Sequence, residues 1–310
     1  MRIMFMGTPE ISAVCLEKLA CSGLDVISAV TGKDKPRGRG NVLTPTAVKS
    51  MAEKYGIPTE TPDTLRSLEF MDYLRKTDPE LIVVVAYGKI LPPAVLEYPK
   101  YGCINLHVSL LPKYRGAAPM QRAIMNGERE TGVTVMYMAE GLDTGDIISQ
   151  SRFPIGPRDD FEAIHDRSAE IGAELLVSTI ADIESGVAER IPQDDSLSSY
   201  AAKIEKSDCK IDFSKSASEL DCIIRGTTPI PGAFAYLKGK MLKIFNAVPV
   251  DKKGEVGRVI ECDGRGDGFF TVACGDGALQ VHGVIPEGKG RMSAGDFIRG
   301  RKIELGDILE

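Results

Sequence analysis

Tryptophan is missing from this chain of 310 residues, and histidine occurs only at His107, His165 and His282. Histidines so far apart disfavour a histidine-rich metal site. The seven cysteines are scattered with no CxxC pair. That argues against a zinc site or a disulfide framework and for reduced thiols in a cytoplasmic protein. There is no GxxxxGK(S/T), no GxSxG and no HExxH, and the first apolar stretch runs into "MGTPE", with one glycine where a dinucleotide fingerprint needs three. A P-loop enzyme, a serine hydrolase of the nucleophile-elbow type, a zincin and a nicotinamide dehydrogenase are thereby disfavoured. The longest apolar run, "LIVVVAY" at 81–87, falls short of the roughly 20 residues that cross a bilayer. A net charge of -6 advertises no global affinity for nucleic acid, so any such footprint must be local.

What is present alternates between two periods. "RIMFMG" (2–7) reads as a strand, 9–21 as an amphipathic helix and "LDVISAV" (24–30) as a second strand. "TPTAVKSMAEKYG" predicts a helix with Thr44 as N-cap, Pro45 at the first position and Gly56 at the C-terminal stop. A helix over 64–76 follows, then a continuously apolar strand in "PELIVVVAYG" and another in "GCINLHV". This order predicts an α/β fold with a doubly wound, mostly parallel, Rossmann-like sheet. Two longer strands, "TGVTVMYM" and "GDIISQSRFPI", and a helix over 161–185 complete it. The pattern then loosens over 186–208, and later segments become short strands with Gly-Asp turns, among them "CGDGA". The expected division is a catalytic domain over 1–188, a linker over 189–207 and a small antiparallel, OB-like β-barrel over 208–310.

The stretch "GCINLHVSLLPKYRGAAP" (102–119) carries the first chemical signal. A strand alternates its faces, so Asn105 and His107 share one face just before the strand ends. In doubly wound sheets ligands bind outside the carboxyl ends of the strands. Taken alone, the pair reads equally well as satisfied polar residues, and Asp143 in "GLDTGD" (141–146) reads as a turn former. If the two loops meet, they supply an amide donor, an imidazole and a carboxylate, a set that suits acyl transfer to an amine.

Together these segments resemble the folate-dependent formyltransferases, which share an N-x-H…SLLP…RG-x-x-P core with a later GLDTGD-type loop. The resemblance implies 10-formyltetrahydrofolate as co-substrate and no metal. It matches Asn105, His107 and Asp143 to the catalytic trio, and Ser109, Leu110, Leu111 and Pro112 to the folate-contacting segment. Tyr87, Gly88 and Ile90 of "AYGKIL" are implied to line the same pocket. The long version found here, with "MFMGTPE", "VVVAYGKILP" and "RGAAPMQRAIMNGERETGVTVMYM", is closest to the members that formylate the α-amine of methionine on initiator tRNA. Ile230 stands where such members often carry Trp.

A second partner is suggested by "GKDKPRGRGN" (32–41), where Lys33, Lys35, Arg37 and Arg39 oppose one Asp34. By itself a charge run is usually a solvated face; beside the resemblance it implies a flexible tRNA-binding loop. The segment 204–310 holds 16 basic and 16 acidic residues, so only patches of the β module could bind RNA. The alternatives are a transferase acting on a UDP-amino-sugar, a hydrolase of formyltetrahydrofolate and a non-catalytic RNA-binding protein. A monomer is expected.

Overall fold

The computed structural model describes residues 1–37 and 42–310. The chain divides into two compact units, the first made of Met1–Gly116, Glu130–Phe153 and His165–Ala201, the second of Ala117–Arg129, Pro154–Ile164 and Ala202–Glu310. These units cut across the expected boundaries: 189–201 goes with the first unit, and 117–129 and 154–164 go with the second.

In the first unit the elements run β1 (Ile3–Gly7), α1 (Glu10–Cys21), β2 (Val26–Val30), β3 (Lys35–Arg37), β4 (Val42–Thr44), α2 (Ala47–Lys54), β5 (Thr59–Glu60), α3 (Leu68–Thr77), β6 (Leu81–Val85), α4 (Pro93–Leu96), β7 (Cys103–His107) and β8 (Arg115–Gly116). After α5 (Pro119–Met125), which belongs to the second unit, come β9 (Glu130–Tyr137), β10 (Ile147–Pro154), α6 (Phe161–Ser185) and β11 (Tyr200–Ala201). Every residue of β1 and β6 is buried, as parallel strands covered on both faces must be. The sheet order is β10-β9-β7-β6-β1-β2-β5. β1 pairs in parallel with both β2 and β6, β6 pairs in parallel with β7, and β7 pairs antiparallel with β9. The chain therefore winds outward from β1 to β5 and returns to β6 on the other side of β1. That reversal creates the crevice where such sheets bind ligands.

Two helix starts differ from expectation, and side-chain capping explains both. Thr46, not Thr44, caps α2, its hydroxyl accepting from the Lys49 amide at 3.1 Å, while Thr44 lies in β4. α3 begins at Leu68, not at Thr64, because the Ser67 hydroxyl accepts from the Phe70 amide at 3.2 Å. A hydroxyl three residues ahead of an unsatisfied amide is the stronger start signal.

The second unit contains α7 (Ala217–Thr227), β12 (Ala233–Leu237), β13 (Lys240–Val250), β14 (Val259–Asp263), β15 (Phe269–Ala273), β16 (Ala278–Pro286), β17 (Met292–Ser293) and α8 (Ala294–Arg299). Its antiparallel sheet runs β12-β13-β16-β15-β14, with β17 on β16. The "CGDGA" turn joins β15 to β16, with Gly277 at φ +71°. The C-terminal residues tie the two edges: Leu309 bridges Leu237 of β12, and Ile308 bridges Arg258 just before β14. Edge strands left open are templates for aggregation, and this tail covers both. The core gathers Leu220 and Ile224 of α7 with Phe270, Leu279 and Val281 of the sheet. Among the described residues, no helix is long and apolar enough to cross a membrane.

Candidate active site

Asn105 and His107 sit on β7, opposite Met136 and Thr134 of β9. The strand's other face carries the buried Ile104 and Leu106, which fix the register and force the two polar residues onto one side. His107 is 6% exposed, and its Nε2 lies 2.9 Å from the carbonyl oxygen of Tyr114. A carbonyl only accepts, so Nε2 carries a proton and donates it there. That leaves Nδ1 facing the Asp143 carboxylate, with Oδ2 at 3.6 Å. Asn105 is half-buried.

Asp143 lies in the loop between β9 and β10 in a left-handed conformation, φ 52°. Its Oδ2 accepts from the Gly116 amide at 2.8 Å. Two glycines make this geometry possible. Gly116 has φ +115°, and a Cβ there would fall 2.7 Å from the Tyr200 ring and 2.9 Å from the Ala201 carbonyl oxygen. A Cβ on Gly145 would fall 1.7 Å from the Tyr137 carbonyl oxygen. The loop is thus a close-packed turn, and its carboxylate is aimed by the backbone of β8.

The 109–112 segment is pinned from β9 and β10. The Thr134 hydroxyl donates to the Ser109 carbonyl at 2.7 Å and accepts from the Leu111 amide at 3.2 Å and the Gln150 side-chain amide at 2.9 Å. Gln150 also donates to the Leu111 carbonyl at 2.8 Å. The Ser109 hydroxyl donates to the Lys113 carbonyl at 2.7 Å, so it serves the turn itself. Leu111 is buried against Met136 and Ile147, while Leu110 and Pro112 are half-buried. On the other side of β7, the 86–91 segment leaves β6 at the crevice, with Ala86 at φ 45° and Gly88 at φ +79°. Tyr87 is buried, and its hydroxyl has no hydrogen-bond partner among the described residues. Burial pushes that phenol up to about 12. Gly88 and Ile90 are exposed, Ile90 at 87%.

Of the basic segment 32–41, residues 38–41 lie outside the described residues, and the expected flexible loop is described only at its two ends. β3 and β4 pair antiparallel, Lys35 opposite Thr44 and Arg37 opposite Val42. Lys33 is ion-paired to Asp63 at 2.5 Å, and Asp34 holds Lys49 at 2.8 Å. Lys35 is exposed. Arg39 and the side chain of Arg37 lie outside the described residues. In the second unit, Lys238 is bound to Asp307 at 2.8 Å and Lys243 to the Pro231 carbonyl at 2.6 Å, whereas Arg291 stacks over the Phe245 ring at 4.2 Å.

No sequence signal marks Thr134, Gln150 or Gln193 as parts of the site. Each is one polar residue among others, and only their convergence on the loops around β7 distinguishes them. Among the described residues no group of three or more His, Cys, Asp or Glu is placed to hold a metal.

Two family models match the chain: "Formyl transferase" over residues 1–180 and "Formyl transferase, C-terminal domain" over 203–302. The methionyl-tRNA formyltransferase of Geotalea uraniireducens is 46% identical over 309 residues, covering 100% of this chain and 98% of that protein. Its counterpart from Moorella thermoacetica is 45% identical over 311 residues, covering 100% and 99%. Among solved structures, the N-formyltransferase of Helicobacter canadensis, in complex with folinic acid and dTDP-3-aminofucose, aligns over 90% of this chain and 97% of its own at a TM-score of 0.66 and 21% identity. HypX of Aquifex aeolicus aligns over 97% of this chain at a TM-score of 0.67 and 20% identity, and the chain spans 48% of it. At these identities the two structures share the fold.

Proposed function

The chain belongs to the formyl transferase family, matched in both its domains, and on that premise we infer that it formylates the α-amino group of methionyl initiator tRNA, with 10-formyltetrahydrofolate as donor. The acceptor follows from full-length relatives of that name at 42–46% identity. The site assignment rests on one observation above all: His107 and Asp143, 36 residues apart in the chain, meet at 3.6 Å on the Asn105 face of β7. An imidazole and a carboxylate meeting at a strand end, with an amide on the same strand face, suit an acyl transfer to an amine.

The folate supplies the formyl group: the amine nitrogen bonds to the formyl carbon, the carbon–N10 bond breaks, and the proton lost by the amine ends on N10. Negative charge builds on the formyl oxygen as the amine attacks. The Asn105 amide and the Nδ1–H of a protonated His107 are the donors on hand to stabilise it. Because Nε2–H is committed to Tyr114, Nδ1 is the nitrogen left for chemistry. Asp143 orients the ring at that nitrogen and accepts the amine's proton, directly or through water, on its way to the leaving nitrogen.

For the folate, Ser109, Leu110, Leu111 and Pro112 form one wall, held by Thr134 and Gln150, and Tyr87, Gly88 and Ile90 form the other. The orphaned Tyr87 hydroxyl fits this assignment, since a buried donor without a protein partner is satisfied by a bound polar ring. The basic residues Lys33, Lys35, Arg37 and Arg39 are assigned to tRNA phosphates, with Lys33 having to leave Asp63 to serve. Functionally, 1–188 carries the chemistry and 208–310 holds the tRNA, joined through 189–207, whose first part, 189–201, packs within the first unit. The protein acts in the cytoplasm as a monomer.

The test is transfer of labelled formyl from 10-formyltetrahydrofolate, with methionyl initiator tRNA and a UDP-amino-sugar offered side by side. Label on the tRNA, lost in Asp143→Ala, is expected. Label on the sugar alone would keep the trio and overturn the acceptor; label in formate alone would make the protein a hydrolase.

A further inference from the structure

We propose that Gln193 is a positioning residue for the formyl transfer, acting through the main chain of the Asp143 loop, so that the 189–201 segment works as part of the catalytic apparatus. This rests on the reading of Asp143 given above.

Asp143 is held at two points. Its carboxylate is fixed by the Gly116 amide. Its main chain is fixed by Gln193, whose Nε2 donates to the carbonyl oxygens of Asp143 at 2.8 Å and Gly145 at 2.7 Å. The other end of the same amide, Oε1, accepts from Arg115 Nε at 3.1 Å and Nη2 at 2.8 Å. The amide cannot be turned over: two carbonyl oxygens on one side require donors, and a guanidinium on the other requires an acceptor. Arg115 is itself 12% exposed and anchored to Asp195 at 2.8 Å.

The segment bearing Gln193 is stitched down on both sides of it. Ile191 and Ile147 exchange backbone hydrogen bonds at 2.8 and 2.9 Å, and β11 pairs in parallel with β8, Tyr200 opposite Arg115 and Ala201 opposite Gly116. The Tyr114 amide, whose carbonyl receives the His107 proton, donates to the Ser199 hydroxyl at 2.9 Å. Both members of the His107–Asp143 pair are therefore referred to one stretch, 191–201. A left-handed aspartate costs free energy that its surroundings must supply, and the two carbonyl contacts from Gln193 hold its peptide in place. Misplacing a catalytic group by about 1 Å costs on the order of 10²-fold in rate.

Three variants test this in single-turnover and steady-state assays. Gln193→Glu keeps the acceptor for Arg115 but sets an oxygen against the two loop carbonyls; Gln193→Met removes both contacts at similar volume. A role in positioning Asp143 predicts that both lose kcat by roughly 10²-fold while KM for the folate and for methionyl-tRNA stays within about twofold. Coupling through Asp143 predicts in addition that Gln193→Glu costs little more in an Asp143→Asn background. Should Gln193→Glu fail to fold, Arg115→Lys, which keeps the charge but loses the fork that orients the amide, carries the same expectation. Wild-type turnover of Gln193→Glu, or full multiplicative losses in the double variant, would overturn the proposal. Formyl transfer by the unmodified protein in the same assay tests the underlying activity separately, and only the ratio of variant to unmodified protein bears on Gln193.

Discussion

At the scale of single residues, the side chains divide into those whose bonding is complete and those left with an open valence. Ser109 and Thr134 spend their hydroxyls on the turn they support. His107 spends one nitrogen on Tyr114 and keeps the other towards Asp143. His107→Asn is therefore expected to lower kcat by about 10²- to 10⁴-fold, the range of a positioned acid–base group, with tRNA binding unchanged in a filter assay. An equal loss of tRNA binding would move His107 out of the chemistry. Tyr87 is the opposite case, a buried hydroxyl with no partner among the described residues. Removing such a group relieves a desolvation cost, so Tyr87→Phe should leave the folate-free protein as stable or slightly more so, while KM for the folate rises by roughly 5- to 10-fold, the worth of one hydrogen bond. The phenol has its pKa raised from 10.0 to about 12, which favours its neutral form in the folded state. Between pH 10 and about 12 the unfolded chain loses this proton while the folded protein keeps it, so the wild type loses stability across that window and Tyr87→Phe does not, and their alkaline unfolding curves should diverge there.

At the scale of elements, long periodic segments were legible and short tethered ones were not. The 161–185 helix and the apolar β6 follow from periodicity and composition. The starts of α2 and α3 did not, because Thr44, Thr46, Thr64 and Ser67 all offer a hydroxyl and only the structure shows which of them accepts from the amide three residues on; Thr64 accepts from Arg66 instead. The trio was legible as residue types, since Asn105 and His107 share a strand face and Asp143 sits between glycines. What aims the trio was not, because β8 and β11 are two residues each and carry no pattern. The Asp143 loop shows how much depends on such contacts. Gly145→Ala would drive a methyl into the Tyr137 carbonyl, so the turn must open and carry Asp143 away from His107. A fall in kcat of about 10²-fold is expected, against an overpacking cost of about 1–3 kcal/mol, small enough to leave a folded protein by thermal melting. Unimpaired turnover in the alanine variant would mean that the loop's position is immaterial.

At the scale of the whole molecule, charge is the deciding quantity, because the donor is small and the acceptor is a polyanion. The protein carries -6 overall, and the 204–310 segment balances 16 basic against 16 acidic residues. Long-range attraction to tRNA therefore cannot come from net charge; it must come from local concentrations of cations, of which 32–41 is one, with four cations and one anion. Two of its charges are already engaged, Lys33 with Asp63 and Asp34 with Lys49; the first pair is exposed and weak enough for a phosphate to replace the carboxylate, whereas the second is half-buried. Each phosphate contact releases a counterion, so the logarithm of the tRNA binding constant should fall linearly with the logarithm of salt concentration, at a slope of roughly -0.7 to -0.9 per contact. Arg39→Ala removes one such contact. It should weaken tRNA binding, flatten that slope by about one and leave KM for the folate unchanged. Asp63→Asn should act in the opposite sense, freeing Lys33 and tightening tRNA binding at low salt with little effect at high salt, where the pair is screened in any case. An Arg39→Ala protein with an unaltered slope would place the phosphate contacts elsewhere on the molecule.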